Sequence, residues 1–125
     1  MANLILPRSL SVAVDYQIYN YFMTAPLLGI VLPAATATDI GPTQETWEDD
    51  TGTTITEFAV DISNPPAGTT YAYQLIIEGQ VQQEGLITDA TNTVLELTSA
   101  SAGTIPGLAR VVFSIYQVDT TTSYS

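Results

Sequence analysis

The sequence predicts an all-β chain, a single β-sandwich or jelly-roll-like domain of about seven or eight antiparallel strands with an extended N-terminal arm. Three observations point there. Apolar residues recur with a period of two from end to end, no stretch carries a 3.6-residue stripe, and turn residues punctuate the apolar runs at short intervals. The expected division is an arm over residues 1–9, the sandwich over residues 10–119 and a C-terminal tail over residues 120–125.

In chain order, Leu10, Val12 and Val14 share one face of a first strand that runs on towards Tyr16, Ile18 and Phe22. Residues 27–32 read as a short buried strand between Pro26 and Pro33. Thr54, Thr56, Phe58, Val60 and Ile62 alternate with Ile55, Glu57, Ala59 and Asp61, the pattern of a half-buried strand, and Asn64-Pro65-Pro66-Ala67-Gly68 then forces a turn. Tyr71, Tyr73, Leu75 and Ile77 share a face, and the break Glu78-Gly79-Gln80 joins them to a strand over residues 81–88 as a hairpin. Residues 93–98 form another strand, residues 103–107 a turn, and Val111, Phe113 and Ile115 the inward face of a last strand over residues 108–118.

A chain of 125 residues with 46 % hydrophobic content has enough apolar surface for one core without metals or disulfides. It has no Cys and no His, which removes thiol nucleophiles, thiolate metal sites, Ser-His triads and the commonest general base. Thirteen acids face only Arg8 and Arg110, for a formal net charge of −11. Nucleic acid and anionic membranes are therefore poor partners, and copies packed side by side must overcome mutual repulsion. The near-absence of Lys and Arg leaves little for trypsin-like proteases, which suits durability outside a cell. Residues 1–8 lack the pattern of a secretory signal, because the only positive residue follows a short apolar run broken by Pro7. Residues 16–38 are uncharged, but Pro26, Gly29, Pro33 and the aromatic β-formers favour strands over a membrane helix.

Few residues are candidates for a site. Asn3-Leu4-Ile5-Leu6 is apolar enough to add a strand to a sheet edge, within its own chain or on a neighbouring copy, and these four residues are the expected inter-subunit contact. The acidic run Glu45-Thr46-Trp47-Glu48-Asp49-Asp50-Thr51-Gly52 does not have the spacing of a twelve-residue calcium loop. It reads as a solvated loop, with Asp49 and Asp50 as weak calcium candidates. No cofactor is expected. The acids give no recognisable glycosidase pair, and no Gly-rich phosphate loop is present. Trp47 beside acids, with the seven Tyr, suggests an alternative, a carbohydrate platform.

Three segments in order, Tyr19-Asn20-Tyr21-Phe22, then Glu48-Asp49-Asp50-Thr51-Gly52, then residues 71–86 with Gly79, Gln82, Gln83 and Gly85, resemble a family of small domains of unknown function in spore-surface proteins of spore-forming Gram-positive bacteria. Glu78 stands where the family tends to have Asn, and Val81 where it tends to have Leu. The resemblance implies a β-sandwich building block of an exosporium or coat layer, without catalytic activity. The expected function is thus a self-assembling structural subunit of an extracellular surface layer, appendage or filament, its copies joined by arm strand addition. Its partners would be copies of itself in a homo-oligomer or homo-polymer, and other surface-layer proteins. Lack of a signal peptide fits release from a lysing mother cell. The alternative is a binding module, either for virion decoration or for carbohydrate.

Overall fold

Residues 10–124 are described in the computed structural model. Two long strands, β1 (Leu10–Thr24) and β11 (Arg110–Tyr124), pair antiparallel along their full length, from Leu10 opposite Tyr124 to Thr24 opposite Arg110. Between them in sequence come β2 (Ile30–Leu32), β3 (Thr38–Asp39), β4 (Trp47–Glu48), β5 (Thr54–Ile55), β6 (Thr69–Ile77), β7 (Gln80–Val81), β8 (Ile87–Ala90), β9 (Leu95–Leu97) and β10 (Gly103–Ile105). The main sheet has the order β5-β4-β1-β11-β6-β7, and two smaller sheets, β3-β9-β8 and β10-β2, make the second layer. The predicted all-β sandwich is thus present; the strand count is eleven among the described residues because several pairings are only two residues long.

One core joins the layers. Odd-numbered residues of the long strands face inward: Tyr19, Tyr21 and Met23 from β1, Val111, Phe113 and Ile115 from β11, and Tyr71, Tyr73, Leu75 and Ile77 from β6. They meet Ile30, Leu32, Ile87, Leu95, Leu97 and Ile105 from the small sheets. At the centre, Phe58 touches three rings, with centroids 4.8 Å from Tyr21, 5.2 Å from Phe113 and 5.7 Å from Trp47. Tilted and edge-on pairs of this kind add to area burial because the ring quadrupoles are complementary.

The structure departs from the sequence pattern at six places. Of the expected buried strand over residues 27–32 only Ile30–Leu32 pairs, as β2, while Leu27 and Leu28 are exposed. Residues 103–105, expected within a turn, form β10 against β2. The alternating run over residues 54–62 pairs only as β5. Tertiary hydrogen bonds then replace the ladder: the Phe58 N–H donates to the Asn92 carbonyl at 2.6 Å, and the Ala59 N–H to the Tyr21 hydroxyl at 2.8 Å. Residues 81–88 are not one strand either. The chain crosses there from β7 in the main sheet to β8 in the second layer, and a 3-10 turn at Glu84–Leu86 interrupts the strand at the crossing. Residues 120–124, expected as a tail, are the end of β11. Finally, Val14, Tyr16, Ile18 and Phe22 share the face of β1 that points away from the core, because Tyr19, Tyr21 and Met23 fill the inner one.

Candidate functional site

Paired residues on neighbouring strands put their side chains on the same face, so the register lays out the solvent side of the main sheet in rows. These rows are Tyr16–Val118–Thr70, Ile18–Tyr116–Ala72, Asn20–Ser114–Gln74 and Glu48–Phe22–Val112–Ile76–Val81. Tyr16 is 76 % exposed, Ile18 56 % and Val81 63 %. An antiparallel sheet with one solvated face normally alternates apolar and polar residues. Here the outer face is apolar as well. Its one polar row is partly satisfied internally, since the Ser114 hydroxyl donates to Asn20 Oδ1 at 2.7 Å. Charge appears only at the border, where the Arg110 guanidinium carbon lies 5.3 Å from the centroid of the Phe22 ring and Glu48 pairs with Phe22.

The sheet also has open edges. β7 covers β6 only at Ile76 and Ile77, and the Gln82 N–H donates to the Leu75 carbonyl at 2.8 Å. The Leu75 main chain therefore points away from β11, and by the period of two so do those of Tyr73 and Tyr71. Among the described residues, no strand pairs with these groups. A groove of about 310 Å³ runs along this edge, lined by Tyr71, Tyr73, Leu75, Val81, Gln82 and Ile87. Burial pushes the Tyr71 phenol above its usual value, with nearby Tyr19 and Asp119 adding to the effect. On the other side, β1 pairs with β4 only through Phe22 and Glu48, and among the described residues no other strand pairs with the stretch from Ala13 to Asn20, a second edge.

Beyond Thr69, which faces Asp119, β6 ends while β1 and β11 continue together as a two-stranded ribbon. Isolated two-stranded ribbons are marginal in water. The Thr69 hydroxyl donates to Asp119 Oδ1 at 2.6 Å and the Gln117 amide to Oδ2 at 2.8 Å, and these bonds hold the Asp119 carboxyl below the ordinary carboxylate range. At the opposite end of the molecule, Leu27, Leu28 and Leu108 are exposed on a tightly built tip. A Cβ on Gly107 would collide with the Leu27 carbonyl, and one on Gly29 (φ +78°) with the Ile105 carbonyl. Leu108 itself is held at φ +60°, an uncommon conformation for a side chain of this size.

The acidic loop is a structural turn. Asp49 Oδ1 accepts from the Thr51 hydroxyl at 2.6 Å, the Thr51 N–H at 2.9 Å and the Thr53 N–H at 3.0 Å. Those bonds, the Thr51 hydroxyl first, hold the Asp49 carboxyl below its ordinary value. Asp50 contributes an exposed neighbour, and among the described residues no group of three or more acidic or His side chains is placed to hold a metal ion.

Trp47 is corrected as a ligand platform: it is fully buried, its Nε1–H donates to the Ile40 carbonyl at 2.7 Å, and its ring packs on Phe58 and Phe113. The predicted contact Asn3, Leu4, Ile5 and Leu6 lies outside the described residues. Sequence reasoning missed the outer face and the β6 edge, although the apolar even-numbered residues of β1 were the available signal. Comparison with family models, curated proteins and solved structures finds no match for this chain.

Proposed function

We propose that this chain is a non-catalytic, self-assembling structural subunit, in which the arm containing Asn3-Leu4-Ile5-Leu6 of one copy adds as a strand to the next. The observation that carries this reading is the open β6 edge with its groove. A long strand edge without Lys, Pro or a covering element is a template for pairing, and monomeric proteins normally blunt such edges. Residues 69–74 contain no charge and no proline. Main-chain bonds to Tyr71 and Tyr73 would give affinity, while the groove would take alternate apolar side chains such as Leu4 and Leu6.

The ribbon and the leucine tip give the molecule two different ends, as a head-to-tail contact requires. A contact of that kind which does not close makes a filament. The absence of His and Cys supports a role without catalysis, and the sequence resemblance supports a surface layer or appendage of the spore-surface type.

Negative-stain electron microscopy of the full chain and of a chain lacking residues 1–9 tests the arm. Filaments or sheets from the full chain that are lost on truncation are expected. Equal assembly by both chains would remove the arm from the account.

A further inference from the structure

The outer face of the main sheet asks for a cover of its own, apart from the β6 edge. We propose that it is an isologous interface on which a second copy of this chain packs, sheet against sheet. The inference rests on the self-assembly reading and adds the surface by which copies pair.

Four observations select the occupant. First, the face is wide. Strands lie about 4.8 Å apart and rise about 3.3 Å per residue, so the rows from Val14 to Phe22 cover roughly 14 Å by 27 Å, and the Phe22 row widens to five strands. That is about 400 to 600 Å² in projection, the upper part of the range for the largest apolar patch on a monomer and the size of a weak, transient interface. A single added strand would leave most of it exposed.

Second, charge is excluded from it. In a chain of net charge −11, β1 from Tyr16 to Phe22, β11 from Val112 to Val118 and β6 from Thr70 to Ile76 place only uncharged side chains on this side. The one acid in these rows, Glu48, stands at the border beside Phe22, so a cationic partner would find no acid within the face itself. A second copy would find the surface on which mutual repulsion is weakest.

Third, the pattern is self-complementary. The polar row Asn20–Ser114–Gln74 lies between two apolar rows, and either in-plane two-fold axis near Ser114 brings the polar row onto itself. Among the described residues the Gln74 carboxamide has no side-chain partner, and the facing row supplies one.

Fourth, Arg110 chooses between the axes. An axis along the strands stacks Arg110 near its own copy. An axis across the strands sets it against the Tyr16–Val118 end instead, and is favoured.

Sedimentation velocity on the full chain, on Ile18→Glu and on Tyr16→Glu tests this, with near-UV circular dichroism as the check on folding. Both substituted residues are mostly exposed, so the folded monomer is expected to survive. The small area predicts pairing in the micromolar range, weakened at least tenfold by either charge, while arm-dependent filaments still form end to end. Unchanged pairing in folded Ile18→Glu and Tyr16→Glu overturns the face and leaves the self-assembly reading standing. A full chain that is monomeric throughout overturns both. Pairing that appears only after residues 1–9 are deleted assigns the face to the chain's own arm and overturns the proposal.

Discussion

Trp47 shows how one side chain can be misread from its neighbours. It stands among acids, yet its indole is a fully buried member of the aromatic cluster around Phe58, with its one polar atom bonded to the Ile40 carbonyl. Trp47→Ala should therefore destabilise the fold by about 3 to 5 kcal/mol in denaturant unfolding, whereas Tyr16→Ala on the outer face should stay within about 0.5 kcal/mol. Asp49 illustrates the opposite case, an exposed residue with a structural task. Its folded carboxyl titrates below the unfolded value, so its contribution is present above the ordinary carboxylate range and is lost as pH falls through the lowered value. Thermal melts of the parent should decline more steeply than those of Asp49→Asn between about pH 5 and about pH 3. Parallel acid limbs would remove Asp49 from the acid response.

Among the elements, β6 and β11 were the most legible in the sequence. Tyr71 to Ile77 and Val111 to Ile115 carry clean alternation, and the faces it assigns are the buried ones. The same rule was ambiguous in β1, where both parities are apolar, and only the second layer decides that Tyr19, Tyr21 and Met23 turn inward. It overreached at Phe58, whose burial is achieved by a loop anchored to Asn92 rather than by a strand. No local pattern announces a long-range hydrogen bond, so that loss is intrinsic to reading sequence alone. The open edge of β6 was equally invisible, since an edge is defined by what does not pair with it.

The β6–β7 hairpin offers an element-scale test. Glu78 and Gly79 have φ of 52° and 77°, the two positive values of a type I′ turn, and Gly79 has nothing within van der Waals reach of an added Cβ. Gly79→Ala should lose about 1 kcal/mol through backbone strain alone, and Glu78→Asn should gain a few tenths. Urea midpoints would show both, and a gain on Gly79→Ala would contradict the turn assignment.

The whole molecule joins a two-layer core to three unfinished surfaces: the β6 edge, the β1–β11 ribbon and the apolar outer sheet face. All three belong to the same six-stranded sheet. A net charge of −11 opposes their use by neighbouring copies and keeps free chains apart. Assembly is therefore expected to depend on salt, because the Debye length falls from about 30 Å at 0.01 M to about 8 Å at 0.15 M. Light scattering from the unmodified full chain, over rising concentration at those two ionic strengths, tests self-assembly itself. The mass is expected to grow with concentration and to grow further with salt. A constant monomer mass at every concentration in both buffers would contradict self-assembly.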